Sequence, residues 1–224
     1  MIARELTVPL ADAALGGELN LPHGTTGLVI FAHGSGSSRH SSRNQSVART
    51  LRQRGLGTLL FDLLTAEEER AELPTRHLRF NITFLADRLV AVTQWARQQP
   101  GCGDLNVGYF GASTGAAAAL VAAANLPDLV RAVVSRGGRP DLAEATLDQV
   151  KAPTLLIVGG ADTPVIPLNQ HACSRLHCEK SLRIIPHASH LFEEPGALEK
   201  VAEMAADWFV THLATSTGTL SKIQ

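Results

Sequence analysis

Six short stretches of the chain are apolar at nearly every position: "GLVIFAH" (27–33), "GTLLFDL" (57–63), "LNVGYFG" (105–111), "VRAVVSR" (130–136), "PTLLIVGG" (153–160) and "SLRIIPH" (181–187). Continuous runs of this kind, rich in Val, Ile and Leu, predict strands covered on both faces. Between them the apolar residues recur at steps of three and four. Val47 and Leu51 share a face in 43–54; Ile82, Leu85, Leu89, Val92 and Trp95 do so in 80–98; Leu198, Val201, Ala205, Trp208 and Phe209 do so in 195–212. Those are helical patterns, and Pro195 falls near the first turn of the last one, where its missing N–H does no harm. Two weaker strands, about 4–9 and 13–20, precede the series and read as a hairpin.

Strand and helix alternating in this way predict an α/β fold: a three-layer α/β/α sandwich on a mostly parallel, twisted sheet of about seven to eight strands. Ligands bind such sheets at the carboxyl ends of the strands. No repeat or interdomain linker interrupts the rhythm, so 1–212 reads as one domain. The polar, turn-rich residues 213–224 are expected to form a frayed tail. Segment 64–79, "LTAEEERAELPTRHLR", fits no strong pattern. It reads either as a solvated helix and loop or as a partial cover over the strand ends.

Within this frame one motif carries chemistry. Gly111-Ala112-Ser113-Thr114-Gly115 matches G-x-S-x-G between a strand and a helix. A serine at the apex of so sharp a turn has its Oγ pushed clear of the backbone. The strand and helix on either side nearly touch, so the positions two before and two after must be tiny. Ala116 to Ala119 let the helix lie close to the sheet. A dinucleotide loop is the rival reading of G-A-S-T-G. Against it, Ala117 stands where the third glycine belongs and the motif lies halfway along the chain. The one tyrosine, Tyr109, also has Ser113 rather than lysine four residues on. A phosphate-binding P-loop is excluded because no Lys-Ser/Thr follows the last glycine.

A nucleophilic serine needs a base and a carboxylate to orient it; where a G-x-S-x-G turn stands on a parallel sheet of this kind, the expected chain order is Ser, Asp or Glu, His. Asp162 follows strand 153–160, and His190 follows strand 181–187; His187 is the alternative base. An oxyanion hole needs two converging N–H donors. Thr114 supplies one, and the glycine-bearing loop His33-Gly34-Ser35-Gly36 supplies the other, from Ser35 or alternatively Gly36. His33 is expected to hold that loop by hydrogen bonding. Arg136 and Arg139 sit after strand 130–136, where they either pair with a carboxylate on the substrate or belong to an Arg-Pro-Asp turn. About sixteen residues separate that strand from the next, too few for a large cap.

These residues together, His33-Gly34-Ser35-Gly36, Gly111 to Gly115, Asp162 and His190, resemble the α/β-hydrolase superfamily. The compact size and loops are similar to its dienelactone-hydrolase-like branch. The resemblance spans about residues 20–212 and implies a serine carboxylesterase acting on a small-molecule ester, with no cofactor or metal. One departure is that dienelactone hydrolases proper use cysteine where this chain has Ser113, which moves the expectation from lactones toward general short-acyl esters. A binding protein on the same fold is the competing class.

Composition narrows the partners. The 20 basic and 21 acidic residues nearly cancel, so no bulk attraction to nucleic acid or an anionic membrane is expected. No leader pattern opens the chain and no apolar run approaches the roughly 20 residues that span a bilayer. Three cysteines, Cys102, Cys173 and Cys178, with no CxxC pattern, fit a reducing cytoplasm. In "HACSRLHC" (171–178) the spacing is not that of a zinc site and reads as one helix with Cys173 and Leu176 turned inward. The sequence leaves the oligomeric state open.

Overall fold

The computed structural model describes residues 2–214. The tail expected over 213–224 therefore lies almost wholly outside the described residues. Eight strands form one sheet: β1 (Ile2–Pro9), β2 (Ala14–Leu21), β3 (Gly27–Ala32), β4 (Gly57–Phe61), β5 (Asn106–Ala112), β6 (Val130–Arg136), β7 (Thr154–Gly159) and β8 (Lys180–Ile185). Their spatial order is β1-β2-β4-β3-β5-β6-β7-β8. Only β2 runs against its neighbours; β3 to β8 are parallel throughout. The chain moves outward from β3 to β4 and then returns to place β5 on the other side of β3. That reversal opens a crevice at the carboxyl ends of β3 and β5, where the Ser35 loop and Ser113 both emerge.

Side-chain alternation sorts the core into two halves. Leu28, Ile30, Tyr109, Val133 and Leu156 face one way. They are covered by α3 (Ile82–Arg97), α4 (Thr114–Asn125), a 3₁₀ helix (Pro140–Gln149) and α5 (Ile166–Arg175). Val29, Phe31, Phe110, Val134 and Ile157 face the other way, against α1 (Ser42–Gln53) and α6 (Ala197–Leu213). Phe31 and Phe110 meet there with ring centroids 4.9 Å apart. Every residue of β3 is buried, as its unbroken apolar run requires.

Three expectations change. β8 is an edge strand whose residues are mostly exposed or half-exposed, so its apolar run is not covered on both faces. Pro195 lies before α6 rather than in its first turn, because Gly196, at φ 77°, is the N-cap. The segment after Arg139 is a 3₁₀ helix with Pro140 at its start rather than a simple turn. Segment 64–79 contains a seven-residue helix, α2 (Ala66–Glu72), opened by a capping box between Thr65 and Glu68.

Tyr109 is fully buried, and its hydroxyl donates to Thr93 Oγ1 at 2.7 Å, since Thr93 donates its own hydrogen to Leu89 O. Burial pushes the phenol pKa well up. As the chain's one tyrosine, it can be titrated alone. Tyrosinate absorbance is expected to stay absent near pH ~10, where a free phenol ionises, and to appear only with loss of the circular dichroism of the fold. Because the unfolded chain releases this proton first, stability is full below about pH 10 and falls as the pH rises beyond it. Ionisation in the intact fold near pH ~10 would contradict the burial.

Candidate functional site

Ser113 stands at the junction of β5 and α4 with φ 50° and ψ −120°, a strained conformation for a residue with a side chain. What forces it is contact on both sides. A Cβ built on Gly115 would overlap the carbonyl oxygens of Ala32 and His33 at the end of β3. One on Gly111 would sit 2.8 Å from Ala116 N and Gly115 O. Strand and helix therefore meet backbone to backbone, and the turn between them has to stand up. Ser113 N–H donates to Arg136 O (3.2 Å), and Ser113 O accepts from Arg139 N–H (3.1 Å), which pins the apex to the end of β6. The Ser113 side chain does not cap α4.

Asp162 and His190 come together across the loops after β7 and β8. His190 Nδ1–H donates to Asp162 Oδ2 at 2.7 Å; a carboxylate has no hydrogen to give, so the proton sits on Nδ1 and leaves Nε2 an acceptor. Asp162 is nearly buried, whereas the His190 side chain is 37 % exposed. The imidazole rests on Gly137, where an added Cβ would meet His190 Nδ1 at 3.4 Å. Gly137 follows Arg136, whose carbonyl holds Ser113 N–H, so the His190 ring packs on the residue next to that anchor, and among the described residues no hydrogen bond joins the Ser113 hydroxyl to His190. His187, the alternative base, is exposed at φ 64° and has no bond to Asp162 among the described residues.

The loop after β3 approaches from the other side. A Cβ on Gly34 would lie 3.1 Å from that of Ser113. His33 anchors the loop as expected: its Nε2 accepts from Leu63 N–H (3.0 Å), so its Nδ1 carries the hydrogen and donates to Gly34 O (2.9 Å). Burial holds this imidazole below its ordinary pKa, in the neutral form that the pair of bonds needs. Ser35 N–H is not free. It donates to the Thr114 hydroxyl at 2.9 Å. Gly36 is exposed with φ 71°.

The two arginines are engaged elsewhere. Arg139 forms a fork with Asp141 (2.9 and 2.7 Å), the turn-like role weighed for it. Arg136 is buried on the α1 and α6 side, bonded to Asn44 Oδ1 (3.4 Å) and lying 5.9 Å above the Phe192 ring. Burial and then the charge of Arg43 push its pKa down to about 10.

Beside the elbow lies a narrow cleft walled by Ser35, Gly36, Leu63, Leu64, Leu85 and Thr114, and by Glu69, Glu72 and Arg79 from segment 64–79. Segment 64–79 thus forms one wall of this cleft. Glu72 is fully buried and takes both the side chain and the N–H of Arg79. Glu68 binds the buried Arg88 through two bonds (2.5 and 2.6 Å). The sequence pattern raises segment 64–79 as a partial cover but does not single out Glu69, Glu72 and Arg79, because a helix with five charged residues in seven looks solvated on every side. The Thr65-x-x-Glu68 capping pattern was the available signal.

Residues 27–153 match the family model described as "alpha/beta hydrolase fold". A dienelactone hydrolase from Anabaena variabilis is 59 % identical, with a TM-score of 0.92 over 95 % of this chain and 98 % of that one. This chain belongs to the α/β-hydrolase family, in its dienelactone-hydrolase-like branch. Est1E from Butyrivibrio proteoclasticus, at 17 % identity, shares the fold, with a TM-score of 0.79 over 94 % of this chain and 99 % of its own. Curated relatives in two strains of Mycobacterium tuberculosis are 56 % identical over 93 % of this chain and carry the name "Putative phosphoribosyl transferase". The chain spans about half the length of these curated relatives, 46 %. Among the described residues no helix is long and apolar enough to cross a membrane.

Gly115→Ala tests the elbow geometry directly. Overlap with two backbone oxygens cannot be relieved by a rotamer change, so the substitution is expected to cost about 3 kcal/mol or more. For a domain of this size that is a fall in Tm of roughly 6–12 °C, read by thermal unfolding. An unchanged Tm would mean that the strand and helix have room to part.

Proposed function

We propose that the protein is a serine hydrolase of carboxylic esters, of small or short-acyl type, in which Ser113 is the nucleophile, His190 the base and Asp162 the group that orients it. The observation that carries this reading is the Asp162–His190 bond beside a serine held in a strained turn. Neither feature is needed to build the sheet. With its Nδ1 hydrogen committed to Asp162, His190 offers Nε2 to the Ser113 hydroxyl. Contacts of this kind are commonly loose without substrate and tighten when it binds.

His190 takes the proton as Ser113 Oγ attacks the ester carbonyl. The tetrahedral oxyanion is held by Thr114 N–H, at the positive end of α4, and by the loop of Ser35 and Gly36. Asp162 stabilises the imidazolium. The C–O bond to the alcohol breaks as His190 returns the proton to it. Water, activated in the same way, then releases the acid from the acyl-enzyme. The small cleft and the absence of a large cap favour short acyl groups. The relative named dienelactone hydrolase brings lactones and carboxylate-bearing esters into the substrate set to be tried. With Arg139 forked to Asp141 and Arg136 buried, any role for them in holding a substrate carboxylate requires one to change partners. The name of the Mycobacterium tuberculosis relatives belongs to proteins about twice as long, and the part this chain matches is the hydrolase-fold part.

Turnover of p-nitrophenyl esters of increasing acyl length tests the reading. Ser113→Ala and His190→Ala are expected to lose on the order of 10⁴- to 10⁶-fold in kcat, and His187→Ala little. Ser113 should also take a fluorophosphonate label. Equal rates in wild type and Ser113→Ala would overturn the mechanism; no turnover and no label would favour a binding protein on the same fold.

A further inference from the structure

We propose that the side-chain hydroxyl of Thr114 is itself an oxyanion donor, with Ser35 N–H behind it as the group that aims and polarises it. This rests on the ester-hydrolase reading above and assigns a donor within it.

Thr114 is the first residue of α4, next to Ser113, and only 3 % exposed. Its Oγ1 accepts the Ser35 N–H at 2.9 Å. An N–H has one hydrogen, and here it points at Thr114 rather than into open space. The hydroxyl's own hydrogen must then point away from Ser35, and among the described residues it meets no acceptor. Both residues wall the cleft beside the elbow. The resting site therefore holds a buried, polarised O–H with its donor capacity unused, one residue from the nucleophile.

Two arrangements meet this geometry. In one, Thr114 swings away and frees Ser35 N–H for the substrate. That breaks the bond and rotates a β-branched side chain, stiff at χ1, in a crowded position at the start of a helix. In the other, the hydroxyl stays and donates. Nothing reorganises, and a hydroxyl that accepts one hydrogen bond becomes the stronger donor in the next. The gain falls mainly on the transition state, because an oxyanion is a far better acceptor than an ester carbonyl. No proton is transferred: the hydroxyl keeps its hydrogen, and the only proton in flight is the one carried by His190.

The test uses kcat and KM on p-nitrophenyl acetate, with the affinity for a trifluoromethyl ketone that forms a tetrahedral adduct with serine. Thr114→Val replaces the hydroxyl by a methyl group and is expected to lower kcat on the order of 10²-fold, leave KM nearly unchanged and weaken the ketone in parallel. Thr114→Ser should keep most of the activity, which a purely steric role of the β-branched side chain would not predict. Ser35→Pro removes the N–H at the second position of the turn closed by Ser37 N–H and Gly34 O, with Gly36 at φ 71° next to it, a position that proline suits. Alone it should lower kcat; added to Thr114→Val it should cost nothing further, since it acts through the hydroxyl. Thermal unfolding of each variant separates loss of fold from loss of a donor, and Thr114→Ala serves if valine does not fold. The proposal is overturned if Thr114→Val or Thr114→Ala, folded, matches or exceeds wild type. It is equally overturned if Ser35→Pro costs as much beside Thr114→Val as alone, which would make Ser35 the direct donor. Either result, with Ser113→Ala still inactive, leaves the esterase reading standing. An inert, unlabelled Ser113 in wild type removes both.

Discussion

The contact of backbone against backbone at Gly111 and Gly115 is the constraint from which the rest of the site follows. Because α4 starts hard against the ends of β3 and β5, the turn between β5 and α4 has no room to relax, and Ser113 takes φ 50°. The same closeness sets the neighbours. Gly34 lies under the serine, Arg136 O holds its N–H, and Gly137 gives the His190 ring its seat. The alanines of α4, buried from Ala116 to Ala119, extend the tight packing along the helix. Larger side chains there would lift the helix and flatten the elbow.

Around this point the polar groups form a frame rather than a set of isolated bonds. His33 ties the loop after β3 to the end of β4. Arg39 on that loop pairs with Asp62, just past β4. Glu68 then fastens segment 64–79 to Arg88 on α3, and Glu72 closes the segment on itself through Arg79. For Glu68, burial works against ionisation, but the hydrogen bonds and charge of Arg88 outweigh it and hold the carboxyl below its usual range. Removing one partner would leave a charge in a mostly buried place, which is more damaging than the pair is stabilising. The wall of the cleft is therefore held by charge pairs, while its floor is held by backbone contact.

Some of this was legible in the residues. The apolar runs located the parallel strands because a strand covered on both faces has no polar positions to hide. The elbow was readable because its steric demand falls on residues at fixed spacing, Gly111 and Gly115 around Ser113. The order of Asp162 and His190 was readable because a parallel sheet delivers the loop after every strand to one end. Less legible was β8, whose apolar residues look like a core strand until the sheet order leaves it at the edge. The burial of Glu72 inside a run of charges was equally hidden, as was the fork from Arg139 to Asp141.

By itself, then, the sequence determined the class of fold, the strained serine and the chain positions of its two prospective partners, since all three are written in local patterns of size and polarity. Tertiary structure decided which histidine meets Asp162, how segment 64–79 closes one side of the cleft, and that Ser35 N–H points at the Thr114 hydroxyl. Those facts depend on residues distant in the chain, such as the 79 positions between Ser35 and Thr114. No local pattern records them; they exist only once the sheet has brought the ends of β3, β5, β7 and β8 to the same place.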